Sequence, residues 1–168
     1  MTTLAIDIRK AEPRDAAAIA EVHHAAWRGA YSGIIPYKSL NRMLSRRGSE
    51  WWANAIRRAA SVLVLEIGGE LAGYATIGRN RARDLKQQGE IYELYLRPEY
   101  QGVGLGSRLF AAARARLAAH GLKGLAVWAL EENTNALSFY AGAGGKDIAE
   151  GVEVFDQKAL RKVCFVWD

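Results

Sequence analysis

Eleven residues, Arg97-Pro98-Glu99-Tyr100-Gln101-Gly102-Val103-Gly104-Leu105-Gly106-Ser107, hold the spacing in this chain that most plainly implies chemistry. Three alternate glycines close a strand-like run, Tyr92 to Leu96, and open a helix-like one, Leu105 to Ala119. Such a turn exposes successive backbone N–H groups at a helix N-terminus, where the helix dipole also favours an anion. Glycine has no Cβ, so the backbone can approach a phosphate closely. The chemistry implied is a diphosphate cradle. A P-loop is excluded, because it needs Gly-Lys followed by Ser or Thr and Gly106 is followed by Ser107 and Arg108. A dinucleotide fingerprint G-x-G-x-x-G fails too: counted from Gly102 or Gly104, its last glycine falls on Ser107 or Leu109.

The elements that must position this turn follow from periodicity and punctuation. Leu4 to Arg9 alternates as a first strand, and Pro13-Arg14-Asp15 opens a helix from Ala16 to Arg28 with Asp15 as its cap. Its apolar stripe runs through Ile19, Val22, Ala26 and Ala30, and Gly29, Ser32 and Gly33 then loosen the chain. Pro36 starts a second helix reaching Leu44, and Ser49 caps a third from Glu50 to Ala60. Val62–Ile67 and Leu71–Ile77, joined by Gly68-Gly69, form a hairpin. After a polar loop, Arg79 to Gly89, come a strand from Glu90 to Leu96, the glycine turn and the helix ending near Gly121. Gly124–Leu130 is the next strand, Asn133–Ala141 a short helix, and Glu150–Phe155 with Val163–Trp167 a closing pair. This order predicts an α/β protein, a mixed sheet with helices on both faces. No repeat, linker or low-complexity segment divides it, so residues 1–168 read as one domain.

Composition removes several function classes. The chain is 50% hydrophobic and 24% charged, as an ordinary globular domain is. No apolar run is long enough for a membrane span, and Met1 to Lys10 lacks a signal peptide's apolar core, so a cytoplasmic location is expected. Cys164 is the only cysteine, so no internal disulfide or cysteine cluster forms, and its neighbours Val163, Phe165, Val166 and Trp167 place it in a buried strand as an inert thiol. His23 and His24 are adjacent on a helix and cannot both face one metal; no metal site is expected. The net charge of +5 suits an anionic ligand, but the arginines are scattered without an RNA-recognition motif, and no nucleic-acid partner is expected.

With the elements in order, the chain resembles the GNAT superfamily of acyl-coenzyme-A-dependent N-acyltransferases. Two motifs carry the resemblance. Q/R-x-x-G-x-G/A is met by Gln101, Gly104 and Gly106, and N-x-x-A-x-x-F-Y by Asn133, Ala136, Phe139 and Tyr140 after the next strand. The resemblance implies a mostly antiparallel central sheet and acetyl-CoA as acyl donor. It places the donor's pyrophosphate on the backbone N–H groups of Gly102, Val103, Gly104, Leu105, Gly106 and Ser107. The pantetheine arm would lie along Leu94, Tyr95 and Leu96, with Asn133 on its other side. Tyr140 matches the family's general acid, and Glu90 the position of a frequent family glutamate.

A neutral amine must attack the thioester, so a proton must leave an ammonium of pKa about 10. Glu90 and Glu93 compete for that base role, facing opposite sides if the strand alternates, and a reading without either remains open. In this family the first helices and last hairpin build the acceptor pocket, where Trp27, Tyr31, Tyr37 and Phe155 fall. No acidic cluster marks a polyamine pocket. One departure stands out: Tyr140 is followed by Ala141-Gly142-Ala143-Gly144-Gly145 without the family's usual aromatic, which predicts a looser turn beside the acyl site. A non-catalytic acyl-CoA-binding domain is the rival reading, and a homodimer is compatible with the sequence.

Overall fold

The computed structural model describes residues 4–58 and 61–168. In chain order they form β1 (Ile6–Lys10), α1 (Ala16–Tyr31), α2 (Tyr37–Arg46), α3 (Ser49–Arg57), β2 (Ser61–Ile67) and β3 (Glu70–Arg79). Then follow β4 (Gly89–Leu96), α4 (Leu105–Ala119), β5 (Leu125–Leu130), α5 (Thr134–Gly142), β6 (Lys146–Phe155) and β7 (Lys158–Trp167). The strands make one sheet in the order β1-β2-β3-β4-β5-β7-β6. Every neighbouring pair is antiparallel except β4 with β5.

Both faces of the sheet are covered, which explains the continuous apolar run of β2. Val62 and Val64 point to one face and pack with Ile19, Val22 and Trp52 of α1 and α3. Leu63 and Leu65 point to the other, where Leu109, Phe110 and Ala113 of α4 meet Tyr140 of α5. On α1 the buried residues Ile19, Val22, His23 and Ala26 keep the spacing of a single helical stripe.

The strands and helices fall where the periodicity places them, with corrections at their ends. Asp15 does not cap α1 with its side chain. Its carboxylate instead takes two N–H groups of Arg9, at 2.8 and 2.9 Å, and the backbone N–H of Glu12 at 2.8 Å. The helix also continues through Gly29 to Tyr31, because packing of the apolar stripe outweighs one glycine. Gly48, not Ser49, is the N-cap of α3, which ends at Arg57; Ala59 and Ala60 lie outside the described residues. The closing hairpin is longer than its apolar pattern suggests, because β6 is an edge strand with mostly exposed side chains.

Candidate active site

β4 and β5 are paired only from Gly89 to Ile91, against Leu125 to Val127. Beyond that point Tyr92–Leu96 and Trp128–Leu130 part, and the sheet opens into a wedge. A strand edge without a neighbour keeps its backbone donors and acceptors available for an extended ligand. Leu94, Tyr95 and Leu96 line a cleft of about 870 Å³ on this side, together with Gln101, Gly102, Gly104, Gly106, Ser107, Asn133 and Tyr140. Ten of the predicted residues therefore meet in one cleft.

The glycine turn has the shape its sequence implies. Gly102 and Gly104 have φ of 79° and 85°, a left-handed backbone that side chains disfavour, and a Cβ at either would meet nothing within 4 Å. Gly104 is also the N-cap of α4, so the N–H groups of its first turn are unsatisfied by the helix itself. Gly106 serves packing too, since a Cβ there would stand 3.3 Å from Phe139. Gln101 ties the loop down, its side-chain amide donating to the Leu96 carbonyl at 3.2 Å. The side chains of Val103 and Leu105 do not enter the cleft: the first is exposed, the second buried under α4, and only their backbones face the turn.

Tyr140 sits in an aromatic nest of Phe110, Phe139, Phe165 and Trp167, with ring centroids 5.3–6.2 Å away. Burial raises its phenol well above the ordinary value. Asn133 caps α5, its side-chain oxygen accepting from the Ala136 N–H at 3.3 Å, and it lines the cleft. The turn after Tyr140 is not loose, contrary to expectation. The Trp167 indole N–H donates to the Ala143 carbonyl at 3.0 Å, and a Cβ on Gly145 would fall 2.6 Å from the same indole. An aromatic from the last strand packs on this turn, and Gly145 is what admits it.

A second cavity, about 720 Å³, lies on the other side of Tyr95, which lines both. Glu90 and Glu93 both line it, and this corrects the expectation that they face opposite ways. The β3–β4 register shifts between Thr76 and Ile77, so Thr76 pairs with Glu93 and Ile77 with Ile91. Tyr92 is the extra residue, and the bulge resets the alternation. Glu90, Tyr92, Glu93 and Tyr95 then share the cavity, while Ile91, Leu94 and Leu96 turn to the α4 side.

The two glutamates are held differently. Glu93 accepts from Arg47 at 2.6 and 2.8 Å, from Tyr74 at 3.3 Å and from Thr76 at 3.1 Å. All of its lone-pair directions are taken, by two residues of β3 and by Arg47 just past α2. Glu90 is 1% exposed, yet its three bonds all come from Arg81, at 2.9–3.3 Å. The Arg81 side chain is 69% exposed.

Comparison with known proteins agrees with this geometry. The Acetyltransferase (GNAT) family matches residues 19–144. An uncharacterised N-acetyltransferase of Bacillus subtilis, YuaI, is 31% identical over 162 residues, 96% of this chain and 92% of that protein. The chain belongs to the GNAT acetyltransferase family. It is an acetyl-CoA-dependent N-acetyltransferase. The spermidine N(1)-acetyltransferase of Thermoplasma acidophilum is 27% identical over 144 residues, 85% of this chain and 89% of its own length. Among solved structures, the PaiA N-acetyltransferase of Thermoplasma acidophilum in complex with coenzyme A superposes with a TM-score of 0.76 at 21% identity. That fold match covers 94% of this chain and 98% of the other.

Of the acceptor-side candidates in this GNAT enzyme, Trp27, Tyr31 and Phe155 line the second cavity and Tyr37 does not. Tyr37 is 72% exposed beside a separate shallow pocket near Pro36 and Leu40. The Tyr31 and Tyr95 hydroxyls are 2.5 Å apart, and burial raises both phenols. Sequence reasoning missed Arg47, Tyr74 and His23. The Tyr74 hydroxyl bridges Glu93, at 3.3 Å, and His23 Nδ1, at 2.9 Å. Burial, then the charges of Arg47 and His24, hold this imidazole down to about 3. Cys164 is buried as expected, and its thiol is pushed up to about 11 by burial. No cluster of metal-ligating side chains occurs among the described residues.

Proposed function

We propose that this acetyltransferase transfers the acetyl group of acetyl-CoA directly to a primary amine, without an acyl-enzyme intermediate. The donor lies in the cleft between β4, the glycine turn and α5, its pyrophosphate on the N–H groups from Gly102 to Ser107. The acceptor enters from the second cavity, and the two meet where β4 and β5 part. The observation that carries the reading is that wedge: an unpaired strand edge, a left-handed glycine turn and Tyr140 converge on one cleft.

Tyr140 acts as general acid toward the departing thiolate. Burial keeps its phenol protonated across the working pH range, so a donor is always present for the developing thiolate. Glu90 takes the amine proton through water. Glu93 is the weaker candidate because Arg47, Tyr74 and Thr76 occupy its oxygens. Glu90, by contrast, is held by Arg81 alone, through its backbone N–H and an exposed guanidinium, and its carboxylate lines the acceptor cavity.

The test combines acetyl-CoA with an amine panel and follows released thiol and product mass. Tyr140→Phe keeps the ring, so acetyl-CoA affinity should stay close to wild type while kcat falls about 10²–10⁴-fold. An unchanged kcat would assign Tyr140 to packing. Intact acetyl-CoA binding without turnover of any amine would favour a non-catalytic acyl-CoA-binding domain.

A further inference from the structure

The acceptor cavity carries a charge pattern that the transfer chemistry does not use. Three carboxylates reach it, Glu90, Glu93 and Glu153, and no other Asp or Glu among the described residues lines it. Each is already met by a cation from the same cavity wall: Glu90 by Arg81 at 2.9 Å, Glu93 by Arg47 at 2.6 Å, Glu153 by Lys162 at 3.2 Å. Each cation in turn lies over an aromatic ring. Arg81 stands 4.3 Å from the centroid of Tyr92, Arg47 4.2 Å from Trp51, and Lys162 4.8 Å from Trp128. The three carboxylates and three cations cancel, and those three ring faces are occupied by the protein's own cations.

A second ammonium entering this cavity finds no free carboxylate, and the ring faces that would attract it already hold like charges. Moving an unpaired charge out of water is expensive unless a counter-ion receives it. A monoamine avoids that cost, because its single nitrogen must shed its proton before attack in any case. Arg47 also lies over Trp27 and Trp52, so what the cavity offers freely is apolar surface from Met43, Leu130 and the Phe155 ring. An aromatic side group buries a large area against such a wall and gains from edge-to-face contacts.

We infer that the acceptor is a monoamine carried on an aromatic or apolar body, and that the cavity rejects polyamines. Spermidine, the substrate in the name of the Thermoplasma acidophilum relative, is rejected on this ground. The inference rests on the acetyltransferase reading for its kinetic half only; the binding half stands apart from turnover.

The experiment compares 2-phenylethylamine with spermidine on the full chain, by kcat/KM with acetyl-CoA at low salt. The aromatic monoamine should win by at least about tenfold, the scale of discrimination a fitted apolar pocket gives. Lys162→Met takes the cation off Trp128 and leaves Glu153 unpaired, so the ratio should move several-fold toward spermidine. Tryptophan emission is followed in parallel, since four of the five tryptophans line the cavity. It should change saturably with 2-phenylethylamine and not with spermidine. Spermidine preferred by wild type, or a ratio unmoved by Lys162→Met, overturns the inference and leaves the acetyltransferase standing. A saturable emission change without acetylation of any amine does the reverse. No emission change with 2-phenylethylamine overturns it whatever the turnover.

Discussion

The proposed donor cleft and the proposed acceptor cavity share Tyr95 as a wall and are made of different materials. Backbone forms the donor cleft: a left-handed turn at Gly102 and Gly104, a helix N-terminus, and a strand edge left bare where β4 leaves β5. Side chains form the acceptor cavity, and its charged groups come from far apart in sequence; Arg47 reaches Glu93 across 46 residues. Backbone recognition accepts one constant donor and depends on local chain geometry. A wall of paired charges and rings can vary residue by residue, so on the proposed reading the difference separates what holds the cosubstrate from what chooses the acceptor.

The sharpest way to break the comparison is Gly104→Val. A β-branched residue at φ 85° is strained, and its side chain fills space that is empty in the cleft. Acetyl-CoA affinity should fall at least about a thousandfold, roughly 4 kcal/mol, with circular dichroism still that of a folded chain. Titration calorimetry reads it directly. Affinity within threefold of wild type would mean that the phosphates lie elsewhere.

That contrast also explains what could be read in the sequence. Gln101 to Ser107 and Asn133 to Tyr140 are contiguous runs whose punctuation is local, so their meeting in one cleft, and with it the order of strands and helices, was legible. The bulge at Tyr92 was not: one extra residue in β4 leaves the composition unchanged and flips the faces of everything after it. Nor was the Trp167 contact at Gly145, because a glycine gives no sign of which distant ring will use its missing Cβ. Tyr37 was misread for the opposite reason. It lies in the right stretch of chain, yet the start of α2 turns it to solvent.

Glu90 and Glu93 test the acceptor side at middle strength, and they should fail in different ways. Glu93→Gln leaves the Arg47 guanidinium, mostly buried among Trp27, Trp51 and Trp52, with a neutral partner. Losing a fully buried partner costs about 3–5 kcal/mol, and because this pair keeps some exposure about 2 kcal/mol is expected. Thermal unfolding should show it. Glu90→Gln leaves only an exposed arginine unpaired, so stability should move little. The rate should fall, and its pH dependence should shift toward that of the free amine. If Glu93→Gln carries the larger loss of kcat at unchanged stability, the roles are reversed.

The smallest effect is a pH dependence of stability stored in the acceptor wall itself. His23 packs against Trp27 and Trp52 and bonds Tyr74, and burial holds its imidazole down to about 3 from the ordinary 6.5. Between those values the unfolded chain binds a proton that the folded chain refuses, so stability falls as pH falls. At pH 5.5, one unit below the ordinary imidazole value, the loss is about 1.4 kcal/mol, and it grows toward pH 4. Asp15, whose carboxyl Arg9 holds below its usual range, adds nothing until more acid conditions. The glycine turn holds no counterpart, since glycines and backbone amides do not titrate. His23→Gln removes the group, so the fall in Tm from pH 7.5 to 5.5 should flatten by about 3–6 °C relative to wild type, whatever the variant's stability at neutral pH. An undiminished slope in His23→Gln would place the acid sensitivity outside the acceptor wall.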